Sequence, residues 1–165
     1  MPKPNTHTIS VLVANKPGVL VRIALVFARR AYNIDSLVVS PTVNPKFSRM
    51  TITAIGDPGT VEQIIKQTSK LIDVLHVGEQ TSLDAVHREL ALFKVKTTSA
   101  NKANIKKLAQ KYCAQVIDEN SKAIILQHVG TTTDVEEFEA ALQREGLAEL
   151  VRSGKLVMAK GLEET

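Results

Sequence analysis

The side chains able to do chemistry are few and scattered. His7, His76, His87 and His128 stand far apart, with no HExxH or His-x-x-x-His spacing to hold a metal, and no serine sits in a GxSxG elbow. His76 and His128 fall inside strand-like stretches and read as structural or surface histidines. Cys113 is the single cysteine, which excludes an intramolecular disulfide and any cysteine-cluster zinc site. It closes an apolar helical face and reads as a small buried hydrophobe. Glu136 and Glu137 lie near the start of a helix-like stretch, where carboxylates stabilise the helix dipole. Lys102, Lys106, Lys107 and Lys111 form a solvated helical face. No catalytic residue and no metal ligand is assigned, and the chain is read as having no enzymatic activity of its own.

One segment does carry recognition chemistry: Asn15-Lys16-Pro17-Gly18-Val19-Leu20. It joins a period-two stretch to a period-3.6 stretch, so it is a strand-to-helix turn. A helix N-terminus exposes unpaired backbone N–H groups and about half a positive charge, which together suit a carboxylate or phosphate. Gly18 lets a ligand approach the backbone, Asn15 offers a side-chain amide near the helix cap, and Asn33 offers a second one further on.

The elements that must position this turn follow from hydrophobic periodicity. His7–Ala14 alternates as a strand, Val19 to about Ala31 is helical, and Tyr32–Ser40 and Phe47–Ile55 are strands around a Pro/Asn loop. A helix carrying Val61, Ile64, Ile65 and Thr68 follows Gly56-Asp57-Pro58-Gly59, and Leu71–Val77 closes the set as a strand. The order β-α-β-β-α-β then repeats: strand Glu89–Lys96, helix Asn101–Tyr112, strands at Ala114–Ile117 and Ala123–Val129, helix Thr132 to about Glu145, and a last strand or hairpin through Glu149–Arg152 and Leu156–Lys160. The fold class is therefore α+β, two ferredoxin-like βαββαβ sandwiches in tandem, over residues 1–80 and 81–165.

Composition bounds the remaining choices. The 165 residues are 44% hydrophobic with only six aromatics, so the core is aliphatic and no aromatic platform for RNA is present. The net charge of +4 comes from residues 1–82, with nine Lys and Arg against five Asp and Glu, while 83–165 hold twelve of each. That excess is too dilute to imply a nucleic-acid partner. No apolar run approaches the roughly 18–20 residues of a membrane span, and the first residues enter a strand pattern without a targeting signal, so the reading is cytoplasmic. A sandwich of about 80 residues leaves one sheet face uncovered. The helix from Val19 is apolar nearly all round, with Arg22, Arg29 and Arg30 as its only charges, which predicts packing on its own sheet and also on a second copy of the chain.

The run NKPGVLVRIALVFARRAYNIDSL, followed by FSRMTI and KLIDVLHV, resembles the ACT-domain half of the regulatory small subunits of acetohydroxyacid synthase, also called acetolactate synthase. RELALFKV and RSGKLVM resemble that family's C-terminal domain, so the likeness covers essentially the whole chain. Ala31 departs from it, standing where the family usually has glycine before the Tyr-Asn pair. The resemblance implies a non-catalytic subunit that binds and activates the catalytic subunit and makes it sensitive to valine in branched-chain amino acid biosynthesis. It implies no cofactor on this chain, with thiamine diphosphate, Mg and FAD on the catalytic subunit. It also implies a homodimer through the ACT domain, residues 1–80, with valine bound between two copies by Asn15, Pro17, Gly18, Val19 and Leu20 of one and Asn33 and Ile34 of the other. A free-standing amino-acid-sensing ACT regulator would share the ligand site but not the likeness of the second half.

Overall fold

The computed structural model describes residues 6–80, 85–162 and 164–165. In chain order the elements are β1 (Thr6–Ala14), α1 (Val19–Ala28), β2 (Ile34–Pro41), β3 (Phe47–Ile55), α2 (Pro58–Thr68) and β4 (Val74–Glu79). They are followed by β5 (Ala85–Lys96), α3 (Lys102–Lys111), β6 (Gln115–Glu119), β7 (Ala123–Gly130), α4 (Thr132–Gln143), β8 (Leu147–Arg152) and β9 (Leu156–Ala159). The sheet orders, β2-β3-β1-β4 and β6-β7-β5-β8, are those of two antiparallel βαββαβ sandwiches, as the repeated periodicity requires. Two compact units result: Arg88–Ser153, and the preceding residues together with Gly154–Thr165.

In the first unit the strand alternation decides which side chains face the helices. Ile9, Val11 and Val13 of β1 and Met50, Ile52 and Ala54 of β3 meet Ile23, Val26 and Phe27 of α1 and Val61 and Ile64 of α2 in one buried cluster. Each fully buried aliphatic or phenyl group contributes about 1.5–3 kcal/mol. The opposite face is built from small hydroxyl residues, Thr8, Ser10, Thr51 and Thr53, and these too are buried. Gly154 lies against this face: a Cβ there would stand 3.1 Å from Ser36 and Val38, which pair with Thr53 and Thr51. The chain's own C-terminal segment therefore supplies cover at this part of the face.

The second unit packs Phe93, Ile124, Leu126, Ile105 and Leu142 around Phe138, whose ring centroid is 4.9 Å from those of both Phe93 and Tyr112. Its helices begin and end by distinct devices. Thr131 and Asp134 form a capping box at the start of α4, and the Thr131 amide holds the Asp134 carboxyl below the usual carboxylate range. In the first unit, α2 is capped by Asp57, whose side chain accepts from the Thr60 N–H with Pro58 in the first turn.

Both α1 and α3 end in the same way. Tyr32 N–H bonds back to Phe27 O and Ala31 N–H to Ala28 O, while Ala114 N–H bonds to Ala109 O and Cys113 N–H to Gln110 O. These are Schellman pairs, and they place Ala31 and Cys113 in the left-handed region at φ 53° each. The consequence for Cys113 is exposure rather than the burial expected from its neighbours. Two further expectations change. The stretch Leu71-Ile72-Asp73 forms a turn, with Ile72 exposed, so β4 starts at Val74 rather than Leu71. β9 pairs with β5 instead of making a hairpin with β8.

Candidate functional site

The turn after β1 is tied down from both sides. Ala14 N–H donates to Asp73 O (2.8 Å) and Asn15 N–H to Lys46 O (2.8 Å), so the chain leaves the sheet held between the β4 entry and the β2–β3 loop. Asn15 does not cap the helix. Its Nδ2 donates to Pro45 O at 3.0 Å, which fixes the carboxamide against the β2–β3 loop. The residue at the N-cap is Gly18, at φ 82°, where an L side chain is strained. The requirement for glycine comes from this backbone angle, because the nearest atom to an added Cβ would be Arg22 Nη1 at 3.8 Å.

Gly18 brings no side-chain cap, and the first turn of α1 contains no acidic residue. The positive end of the helix is thus uncompensated by its own side chains, unlike α2 and α4 with their Asp57 and Thr131/Asp134 caps. Arg22, one turn on, forms an ion pair with Asp73.

A cavity of about 260 Å³ opens at this helix start. The turn, Asn15 to Gly18, and the beginning of α1, Val19 and Leu20, form one side of it. The other side comes from three strands: Val13 of β1, Ser48 and Met50 of β3, and Val39 of β2. Val39 and Met50 are direct cross-strand partners on the helix-facing side of the sheet. Of the seven residues singled out in the sequence, Asn15, Pro17, Gly18, Val19 and Leu20 line this cavity. Asn33 and Ile34 do not; Asn33 is exposed just before β2, and Ile34 pairs with Ala54 at the far end of that strand. Val39, Ser48 and Met50 were missed because only the β2–β3–β1 register brings them under the turn.

The chemistry this arrangement offers is that of small-anion recognition beside an apolar wall. Uncapped amides and the Lys16 ammonium favour a carboxylate, the Asn15 carboxamide and Ser48 hydroxyl offer polar contacts, and the valines, Leu20 and Met50 suit an aliphatic group. A larger cleft of about 530 Å³ lies between α3 and α4, but its rim mixes Lys111 and Arg144 with Glu137 and Glu145. Among the described residues no group of three or more His, Cys, Asp or Glu is placed to hold a metal, and no helix is long and apolar enough to cross a membrane.

Leu20, Val21 and Leu25 remain 41–60% exposed on α1 although Val19, Ile23, Val26 and Phe27 of the same helix are buried. The apolar back expected from composition is therefore present, next to the cavity.

Comparison with known proteins gives matches along both halves. Residues 9–76 match the family model described as "AHAS small subunit-like ACT domain", and residues 88–161 match "Small subunit of acetolactate synthase". The chain is 41% identical over 154 residues to the acetolactate synthase small subunit of Haemophilus influenzae, covering 93% of this chain and 94% of that one. It is 38% identical over 156 residues to the Mycolicibacterium smegmatis small subunit, covering 94% and 92%. Among solved structures, the small subunit from Thermotoga maritima superposes with a TM-score of 0.87 at 36% identity, covering 94% of this chain and 98% of that one.

Proposed function

The chain belongs to the acetolactate synthase small-subunit family, and from that membership we propose that it is the regulatory subunit that activates a thiamine-diphosphate-dependent catalytic subunit and confers inhibition by valine. In this reading the chain itself is non-catalytic and cytoplasmic. Acetolactate chemistry, with thiamine diphosphate, Mg and FAD, belongs to the catalytic partner. Residues 1–80 carry effector binding and dimerisation, and the second domain lies within residues 81–165, its compact part being Arg88–Ser153.

The observation that carries the reading is the cavity at the uncapped start of α1. Valine's carboxylate meets the first-turn amides, its ammonium meets the Asn15 carboxamide oxygen, and its isopropyl group lies on the aliphatic wall. Leu20, Val21 and Leu25 pack on a second copy of the chain, whose Asn33 and Ile34 complete the site. A ligand spanning two copies shifts their arrangement only by its differential affinity for the two states, commonly about 1–3 kcal/mol of coupling. Valine then favours the arrangement that activates the catalytic subunit poorly.

The test is to mix this chain with its catalytic subunit and follow acetolactate formation with and without valine. Activation on mixing and loss of rate with valine are expected; an unchanged rate on mixing overturns the proposal. Gly18→Asp sharpens it. Aspartate tolerates the left-handed angle better than most residues, and Arg22 lies within reach of the new carboxylate, so the fold is retained. The fixed anion at the helix start excludes that of valine, and activation is expected to persist while inhibition disappears.

A further inference from the structure

We propose that Met50 and Val39, partners across the β2–β3 pair, set the length of aliphatic side chain that the cavity accepts; this rests on the cavity being an amino-acid site. The polar groups of the turn cannot make that choice. First-turn amides, Asn15 and Lys16 meet the carboxylate and ammonium, which all free amino acids share. Selection among them comes from the apolar lining, and on the strand side that lining is Val13, Met50 and Val39, with Ser48 beside them.

These four are not equivalent. Val13 is 1% exposed and sits in the aliphatic core between the strands and helices, so its position is dictated by packing. Ser48 lies nearest the turn in the strand order, opposite Val13 on β1 and Pro41 on β2, where its hydroxyl suits the polar end of the ligand. Met50 is one step further along the same face of β3, buried at 3% and shared by core and cavity. Val39 faces it from the edge strand and is 42% exposed. The two close the end of the cavity away from the charged groups.

The class of side chain follows. A charged or amide side chain would lie against methyl and thioether groups with no partner, at a cost that excludes it. A side chain of methyl and methylene groups instead meets matching surface on Val13, Val39 and Met50. What fits is a short aliphatic chain, its limit set by an unbranched methionine that yields more readily than a β-branched residue would. The wild-type chain should consequently separate valine, isoleucine and leucine only modestly.

The experiment is calorimetric titration of the full chain with valine, isoleucine and leucine, in the wild type and in Val39→Ala, Met50→Ala, Met50→Leu and Gly18→Asp. Val39→Ala removes methyls from a half-exposed edge position and keeps the fold; Met50→Ala is checked by circular dichroism before use. Shortening either wall residue is expected to raise leucine affinity relative to valine by roughly tenfold or more, as one added methylene in a fitted pocket would. Met50→Leu conserves volume and should leave the ratio within about twofold. If the leucine-to-valine ratio in Val39→Ala and in folded Met50→Ala stays at the wild-type value, while valine binds and Gly18→Asp abolishes that binding, the size gate is overturned and the site stands. If none of the three amino acids binds the wild-type chain, the amino-acid reading falls and the gate with it.

Discussion

In the first unit the chain leaves β1 at Ala14 and enters α1 through Gly18, which gives the helix no side-chain cap. In the second unit the chain leaves β5 at Lys96 and enters α3 through Asn101, whose carboxamide fills the turn it closes. Asn101 Oδ1 accepts from Thr98 N–H at 2.7 Å, and Nδ2 donates to Lys96 O at 3.0 Å and Glu145 O at 2.9 Å. One fold thus presents the same strand-to-helix corner in two states. The Gly18 turn borders a cavity; Asn101 likewise makes no side-chain cap bond to its helix, but its carboxamide ties up the turn before α3. The lesson is that both helix starts lack a side-chain cap, and what differs is the cavity beside the first and the carboxamide bonds that bind up the turn before the second.

The largest effect should separate the two corners by binding. Gly18→Asp is expected to weaken valine binding to the isolated chain by about 100-fold or more, whereas Asn101→Ala leaves it unchanged, since only the first corner borders the cavity. Loss of half the bound valine in Asn101→Ala would break the comparison. In stability the order reverses. Asn101→Ala removes several hydrogen bonds at once and should cost about 2–3 kcal/mol in denaturant unfolding of the second unit.

A second pair of equivalent positions gives an effect of opposite sign. Ile52 lies opposite Ile9 in the first sheet, and His128 occupies the matching place opposite Ala91 in the second. Ile52 is fully buried among aliphatic side chains, while His128 is 6% exposed, edge-on to Phe138, and both ring nitrogens lack a hydrogen-bond partner. His128→Ile should stabilise the second unit by about 1–3 kcal/mol, read as a raised denaturation midpoint. A lowered midpoint would mean that the imidazole is satisfied in solution. The smallest effect is at the two left-handed helix ends: Ala31→Gly and Cys113→Gly should each gain about 0.5 kcal/mol, the relief of the backbone angle being partly offset by the flexibility of glycine in the unfolded chain. Paired thermal melts would test whether both units respond equally.

Element order was legible because both periods recur cleanly: β3 runs over Phe47–Ile55 as its alternation predicts, and α1 and α4 start at Val19 and Thr132. The apolar back of α1 was legible from composition alone. Errors arose where local pattern and tertiary pairing disagree. Leu71-Ile72-Asp73 reads as the start of a strand, but Leu71 N–H bonds back to Thr68 O and Val74 N–H to Leu71 O, so the chain turns there and ladder pairing with β1 begins at Val74. Asn15 has the composition of a cap, yet its amide is drawn off by Pro45, thirty residues away. One side of the candidate site is local in sequence and could be read from it. The wall formed by Val39, Ser48 and Met50 depends on strand register, and no spacing in the sequence announces it. His128 belongs to the core face by parity, but that its nitrogens find no partner is a matter of packing.

Gly154 and the residues after it belong with the first unit, so Arg88–Ser153 is an insertion in the path of the chain. On a ribosome the inserted unit is fully synthesised while the unit that began first still lacks its final segment. The order of completion in synthesis is therefore the reverse of the order of starting. Until residues 154–165 emerge, Ser36 and Val38 lack the backbone that lies against them at Gly154. A chain stopped after Ser153 would carry every strand and helix of both sandwiches except β9, and would still be unfinished at its beginning.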